Sequence, residues 1–240
     1  MTCLVFPYRG IYMRHVGDDQ AVADANHVLF FNADEVYQIS HPLPGGDASL
    51  SLALADEALF ELVPKELLKE QERPAFRWQH RRIDARAQAL VMVLRNSLLN
   101  GCIEPLEAEG LLLTLIARSL GPRTSRAPGS TFALRRLADR VKILLASDLS
   151  RRWTLAEIAA EVGVSPVYLT QVFQQVEGLP LYRYQLQLRL ARALDLLGDY
   201  KDLTLLALDL GFSSHSHFSA AFKKAYGKTP LEFQHDARVR

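Results

Sequence analysis

The sequence predicts an α+β protein with a β-rich N-terminal half and an all-helical C-terminal half. Two observations support this prediction. Residues 3–54 contain short apolar or alternating runs separated by turn-forming residues, which is typical of strands in a small antiparallel sheet or barrel. Residues 84–120 and 132–240 instead carry apolar side chains at helical spacing.

The predicted domain boundary lies in the stretch GPRTSRAPGST, which has the Gly, Pro and polar composition of a linker. We therefore expect a first domain over residues 1–120, a linker over 121–131 and a second domain over 132–240. A chain of 240 residues is long enough for each domain to bury its own core.

The first domain is predicted to begin with strands and to end with two helices. The strand candidates are CLVF, GIYMRHV, HVLFFN, EVYQIS, ASLSLAL and FRWQHRRI. Asp84 is placed to cap the first helix, and Pro105 suits the first turn of the second. Their apolar stripes are wider than one contact surface needs, which indicates either a partner subunit or complete burial within one subunit. The residues that widen them are Met92, Val93, Leu99, Leu111 and Leu113.

The overall composition is that of an ordinary globular protein, with 49% hydrophobic and 23% charged residues. No apolar run approaches the ~20 residues that span a bilayer, and the N-terminus lacks a secretory signal pattern, so we expect a cytoplasmic protein. Cys3 and Cys102 are too few for a disulfide scaffold and are expected to be free thiols. Residues 1–131 carry 13 Lys and Arg against 16 Asp and Glu, and residues 132–240 carry 15 against 11. This modest charge asymmetry does not identify a partner.

The segment TLAEIAAEVGVSPVYLTQVF predicts two short helices joined by a tight turn, after a first helix that begins at Phe132. Thr154 and Glu157 have the spacing of a capping box. Gly163 stands where the chain must turn in a left-handed conformation, and Ser165 with Pro166 opens the next helix. The pattern indicates a helix-turn-helix unit.

The same pattern recurs after a further predicted helix, Leu181 to Leu197, which joins the two units. The apolar and turn positions of the first unit return 48 residues later, and beyond the second turn the offset becomes 49. Asp202 takes the capping position of Thr154. Two such units on one side of B-DNA, about 34 Å apart, would enter successive major grooves. A duplicated fold that does not bind DNA is the alternative.

The C-terminal half, from about residue 133 to 235, resembles the DNA-binding domain of the AraC/XylS family. The resemblance rests on EIAAEVGVSPVYLTQVFQQVEG and, above all, on LGFSSHSHFSAAFKKAYGKTPLEF. It implies a double helix-turn-helix domain that binds double-stranded DNA in a transcription regulator, with activation as an expected outcome and repression as the open alternative. The N-terminal half, by its order of strands followed by two helices and by the stretch HVLFFNADEVYQISHP, resembles the cupin-like sensor domain of such regulators. This resemblance implies a small cupin-like antiparallel β-barrel, a small-molecule effector and a homodimer. RNA polymerase is a further candidate partner.

The resemblance assigns the outward side chains of each second helix to DNA contacts. In the first unit these are Val167, Tyr168, Thr170, Gln171 and Gln174, and in the second they are His215, Ser216, His217, Ser219 and Ala220. Relatives often have Arg where Gln171 and Ala220 stand, so an Arg-to-guanine contact is absent at both, while Gln171 could read adenine. The candidate phosphate contacts are Arg152, Arg189, Arg192, Lys223 and Lys224, for which solvated surface charge is the alternative.

Other chemistry finds little support in the sequence. His215 and His217 point about 200° apart on a helix and cannot share a metal ion there, and the N-terminal half lacks the His and Glu pattern of metal-dependent cupins. We expect no metal, no cofactor and no enzyme activity. Arg14, Tyr37, Trp78 and His80 are candidates for an effector pocket, with ordinary core or surface packing as the alternative. A cupin-type enzyme or a ligand-free sensor tethered to DNA is the second functional reading.

Overall fold

A computed structural model of the chain describes residues 1–71, 73–121 and 131–239, and the side chains up to residue 235. The chain divides into two compact units. The first unit contains all the described strands, and the second contains the helices from Phe132 onward. The predicted α+β class is confirmed. Most of the predicted linker, residues 121–131, lies outside the described residues, so the domain limits stay a prediction.

The described part of the first unit has seven strands in two antiparallel sheets. Four of them pair in the order β6-β1-β4-β7 and three in the order β3-β2-β5. Their bounds are β1 Thr2–Arg9, β2 Tyr12–Val16, β3 Asp19–Ala23, β4 His27–Phe31, β5 Gln38–Ser40, β6 Ala48–Leu54 and β7 His80–Arg82. The sequence analysis missed β3, because its apolar run is short and follows Gly17 and Asp18, which form the turn of a hairpin with β2.

The described part of the first unit also has three helices: α1 (Asp56–Leu62), which lies between β6 and β7, and α2 (Ala85–Asn100) and α3 (Pro105–Leu120), which follow β7. A single 3-10 turn, Lys65–Leu67, comes after α1. As predicted, the Asp84 carboxylate accepts a hydrogen bond from the backbone N–H of Ala87 at 2.9 Å, and Pro105 opens α3. The sequence analysis did not predict α1, whose only buried residue is Leu59.

The larger sheet forms the middle layer of the first unit. Leu4 of β1 and Phe30 of β4 are paired across the sheet and point to one face, where they pack with residues of the three helices. The preceding residue of β4, Leu29, points to the other face and packs with Tyr12 and Ala23 of the smaller sheet. This alternation along β4 gives the unit two apolar layers, one on each side of the larger sheet.

The second unit contains all the remaining described helices. They are α4 (Phe132–Ser147), α5 (Leu155–Val162), α6 (Pro166–Glu177), α7 (Leu181–Leu196), α8 (Leu203–Asp209), α9 (His215–Tyr226) and α10 (Pro230–Val239). Helix α7 joins the pair α5 and α6 to the pair α8 and α9, as the sequence predicted. None of the helices among the described residues is long and apolar enough to cross a membrane.

Helix α7 is buried on more than the one stripe that its sequence predicts. Tyr184 and Leu188 pack into the core formed by α4, α5 and α6. Leu190, Ala193 and Leu194 are also buried but lie outside that core. A helix that is apolar on two sides is covered on both, so α7 is a buried connector rather than a helix on the protein surface.

Candidate nucleic-acid interface

The first helix-turn-helix unit consists of α5, a turn and α6, with its caps formed as predicted. The Thr154 hydroxyl accepts from the backbone N–H of Glu157, and the Glu157 carboxylate accepts from the Thr154 hydroxyl and N–H. These hydrogen bonds from Thr154 lower the pKa of Glu157 to about 2. Gly163 has a φ of 73°, and the Ser165 hydroxyl caps α6 by accepting from the N–H of Tyr168.

Helix α6 has one buried and one exposed face. Leu169 and Phe173 are completely buried in the core of the unit. The predicted contact residues lie on the other face, where Val167 is 69% exposed and Tyr168 is 46% exposed. The remaining three predicted positions follow the same face: Gln171 and Gln174 are exposed and Thr170 is half-buried. The exposed face therefore combines an apolar start with two amides that are free of the core.

The second unit consists of α8, a turn and α9, and it repeats the caps with other side chains. The Asp202 carboxylate accepts from the N–H of Thr204 at 2.7 Å, and the Ser214 hydroxyl accepts from the N–H of His217 at 3.1 Å. Gly211 in the turn has a φ of 75°. The repeat deduced from the sequence is therefore present in the backbone conformation and in the caps.

The outward face of α9 is polar, and some of its side chains are held by neighbours. His215, Ser216, His217 and Ala220 are exposed, and Ser219 is half-buried. The His217 ring packs edge-on against Phe212, and its Nδ1 lies 3.0 Å from the Ser213 hydroxyl. A contact of His217 with DNA would use the imidazole in an orientation that these two neighbours fix.

A buried charge cluster joins α4 to the last residue of α6. The Lys142 ammonium lies 2.9 Å from a carboxylate oxygen of Asp139 and 2.9 Å from one of Glu177. The Lys142 side chain is 1% exposed. The sequence analysis did not find this cluster, because a charged residue at helical spacing is ordinarily on the solvated face. The cluster fixes the C-terminal end of α6 relative to α4.

The five predicted phosphate contacts fall into two groups. Lys223 and Lys224 are exposed in the last turn of α9, where a backbone phosphate could reach them. The three arginines form hydrogen bonds inside the protein: Arg192 pairs with Asp195, and the guanidinium groups of Arg152 and Arg189 donate to backbone carbonyls. The hydrogen bonds of Arg189 favour a structural role for this residue.

The four candidates for an effector pocket are only partly brought together in the N-terminal half of the chain. The Arg14 guanidinium is buried, pairs with Glu35, donates to the Phe30 carbonyl and lies 5.4 Å from the ring centroid of Tyr37. His80 is on β7 in the other sheet, with its ring edge-on to His27, and Trp78 just before it is 37% exposed. Among the described residues, no group of three His, Cys, Asp or Glu is arranged to hold a metal ion.

Comparison with known proteins agrees with this geometry. Residues 158–236 match a family model described as a helix-turn-helix domain. Over 97 residues the chain is 35% identical to the transcriptional activator AggR of Escherichia coli, which covers 40% of this chain and 36% of AggR. It is also 35% identical over 97 residues to the HTH-type transcriptional regulator ArgR of Pseudomonas aeruginosa, covering 40% of this chain and 30% of ArgR.

Among solved structures, an AraC-type DNA-binding domain-containing protein from Chromobacterium violaceum is similar, with 30% identity and a TM-score of 0.42. The match covers 45% of this chain and 96% of that one. The chain spans about a third of the length of the two curated relatives.

The C-terminal half is thus a two-unit helix-turn-helix domain, in which one connecting helix joins two equivalent pairs of helices. It is of the AraC type, as the resemblance implied.

Proposed function

We propose that this protein is a sequence-specific DNA-binding regulator of transcription, of the AraC/XylS type, that reads bases with α6 and α9. Activation is the expected outcome, since the similar E. coli protein AggR is described as a transcriptional activator. A regulator of this kind acts on chromosomal DNA, which agrees with the cytoplasmic location expected from the sequence. That location stays a prediction. RNA polymerase is the partner that an activator would contact, and no catalytic role is part of the proposal.

The observation that carries this proposal is the paired arrangement of α6 and α9. Each helix follows a left-handed glycine turn, is capped by a serine and keeps its large apolar residues buried. Each leaves side chains exposed that can hydrogen-bond or contact base edges in a major groove. A helix pair that served only to fill a core would not need a second, equivalent pair with the same exposed face.

The test is a selection of duplexes from a random pool by the full chain and by two variants. Gln171→Ala is expected to weaken binding by about 1–3 kcal/mol at one matched base pair and to relax the preference there, because the amide can bond adenine bidentately. Lys223→Ala is expected to weaken binding to all duplexes by a similar factor, since a phosphate contact carries no sequence information.

A preference unchanged by Gln171→Ala but erased by His215→Ala or His217→Ala would show that α9 is the main reader. A wild-type chain that enriches no motif would contradict the proposed function itself. The comparison of Gln171 with Lys223 separates the two kinds of contact, because both side chains are exposed and lie on second helices of their units.

Control by a small-molecule effector that binds the N-terminal half is a second part of the proposal. The Arg14 guanidinium is buried beside aromatic rings at 4.2 Å (Phe31) and 5.4 Å (Tyr37), and an anionic ligand group that displaced its partner Glu35 would gain a strong charged contact there. The alternative, a ligand-free sensor or a cupin-type enzyme tethered to DNA, makes a different prediction. Repeating the selection with and without candidate metabolites distinguishes them, since only an effector changes the amount of bound DNA.

A homodimer through residues 84–120 is the third part of the proposal. Part of the wide apolar stripes of α2 and α3 is buried in the core of the N-terminal half, since Met92 is buried and Leu111 packs against that core. Leu99 and Leu113 are 72% and 42% exposed, and Val93 is half-buried. Exposed leucines on both helices are what an additional apolar interface requires.

Replacing Leu113 with Glu is expected to convert the dimer to a monomer, because a carboxylate cannot be buried unpaired in an apolar interface. The molar mass from light scattering checks this. The matched control is Leu231→Glu, which changes an exposed leucine on α10 in the C-terminal half and should leave the mass unchanged. If Leu113→Glu and Val93→Glu both keep the wild-type mass, the interface lies elsewhere.

A further inference from the structure

We propose that Arg189 determines the spacing between the two DNA half-sites, by tying the turn of the second helix-turn-helix unit to the loop that leads into the first. The inference rests on the proposed function. It assigns to Arg189 a positioning role in place of the phosphate contact that the sequence predicts.

The Arg189 guanidinium donates to three backbone carbonyls that lie in two separate segments. From the middle of α7, its Nε donates to the Leu149 carbonyl at 2.8 Å and one Nη donates to the Arg151 carbonyl at 2.7 Å. Both carbonyls belong to the loop between α4 and α5. The other Nη donates to the Gly211 carbonyl in the turn between α8 and α9, at 3.3 Å. A planar guanidinium with three engaged nitrogens holds its acceptors in a fixed geometry, which a single ammonium cannot do.

A second arginine and a glycine reinforce the same junction. Arg152 donates to the carbonyls of Gly211 and Phe212, at 3.3 and 2.9 Å. The backbones are in direct contact there, since a Cβ on Gly211 would lie 2.2 Å from the Ser150 carbonyl oxygen. The pKa of Arg189 is lowered by burial and by the charge of Arg152. Two cations are kept close together at this point because backbone carbonyl oxygens surround them.

The loop on the first-unit side is itself rigid. The Asp148 carboxylate accepts hydrogen bonds from the backbone N–H groups of Ser150 and Arg151, each at 3.0 Å. Three residues after Arg151, the loop reaches Thr154, the N-cap of α5. The turn of the second helix-turn-helix unit is therefore tied by two arginine side chains to a hydrogen-bonded loop that leads into the first, and we expect these bonds to hold α9 in place relative to α6.

This rigidity predicts a strict dependence on half-site spacing. Inserting one base pair between the half-sites moves the second by 3.4 Å and rotates it by about 35° around B-DNA. A fixed pair of recognition helices cannot follow that rotation, whereas a loosened pair can. The expected signature of Arg189 is thus a change in spacing tolerance, which a loss of one phosphate contact would not cause.

The experiment measures the affinity of the full chain for its selected duplex and for duplexes with one base pair added or removed between the half-sites. Wild type is expected to lose at least about tenfold per inserted pair, comparable to a mismatched base pair. Arg189→Met keeps the aliphatic length but removes the donors, and its loss should fall to about threefold or less. Arg183→Met, at an exposed arginine on the same helix, is the matched control and should keep the wild-type ratio between spacings.

Arg189→Lys keeps the charge and part of the hydrogen bonding, so it should give an intermediate ratio if Arg189→Met fails to fold. The proposal is overturned if a folded Arg189→Met or Arg189→Lys keeps the wild-type ratio, or if wild type binds its site yet tolerates the altered spacing. Failure of the proposed function gives a different result, because wild type would then enrich no duplex at all.

Discussion

Replacing Lys142 with Met is expected to lower the free energy of unfolding of the C-terminal half by about 3–5 kcal/mol. The substitution removes the cation that lies 2.9 Å from both Asp139 and Glu177, while the two carboxylates stay 7% and 4% exposed. Buried like charges without their shared cation are strongly destabilising, and the methionine fills the space without compensating them. Chemical denaturation, followed by circular dichroism, measures the change.

Two further variants sharpen this test. Arg140→Met changes an exposed residue on the same helix and should alter the free energy of unfolding by no more than about 0.5 kcal/mol. The triple variant Lys142→Met, Asp139→Asn, Glu177→Gln removes all three charges together and should recover part of the loss. A loss below about 1 kcal/mol for Lys142→Met would mean that the cluster is more hydrated than its burial indicates.

Replacing Gly211 with Ala is expected to cost clearly more than the equivalent change at Gly163. Both glycines have a positive φ, 75° and 73°, so the backbone strain of about 1–2 kcal/mol is common to the two substitutions. They differ in their surroundings: nothing lies within 4 Å of a Cβ at position 163, but the Ser150 carbonyl oxygen lies 2.2 Å from one at 211. The backbone must move, which adds about 1–3 kcal/mol.

The Gly211 substitution should also weaken DNA binding, because the displaced turn carries α9 with it. Denaturation curves and affinity for the selected duplex of Gly163→Ala and Gly211→Ala give both quantities from matched proteins. Equal costs at the two positions would contradict the close packing of the second turn on the loop before α5. A large stability loss with unchanged affinity for DNA would contradict the role of that packing in placing α9.

Features that depend on neighbouring residues could be predicted from the sequence. The caps at Asp84, Thr154 and Ser165, and the left-handed turn at Gly163, rest on hydrogen bonds and backbone angles within a few residues. The repeat of the second unit was detectable because the same local requirements recur at Gly211. Exposure of most of the predicted contact residues on α6 and α9 also followed, since helical periodicity separates them from the buried leucines and phenylalanines.

Features that depend on distant segments could not be predicted. Arg189 reaches carbonyls 22 to 40 residues away, and Arg14 pairs with Glu35, which is 21 residues away. A charged side chain on a helix or strand has the same local pattern whether it points to solvent or to another backbone segment. The burial of α7 on two sides could not be predicted either. Its second apolar side is recognised as buried only once both helix-turn-helix units are seen to pack around it.

The central claim is that α6 and α9 occupy successive major grooves on one face of the DNA. The most direct test is interference by modification of purine N7, with dimethyl sulfate at guanine and diethylpyrocarbonate at adenine, for the full chain on its selected duplex, since N7 of both purines lies in the major groove. The account predicts two clusters of interfering positions, separated by about 10 base pairs and lying on the same face. A single cluster, or two clusters on opposite faces, would contradict it.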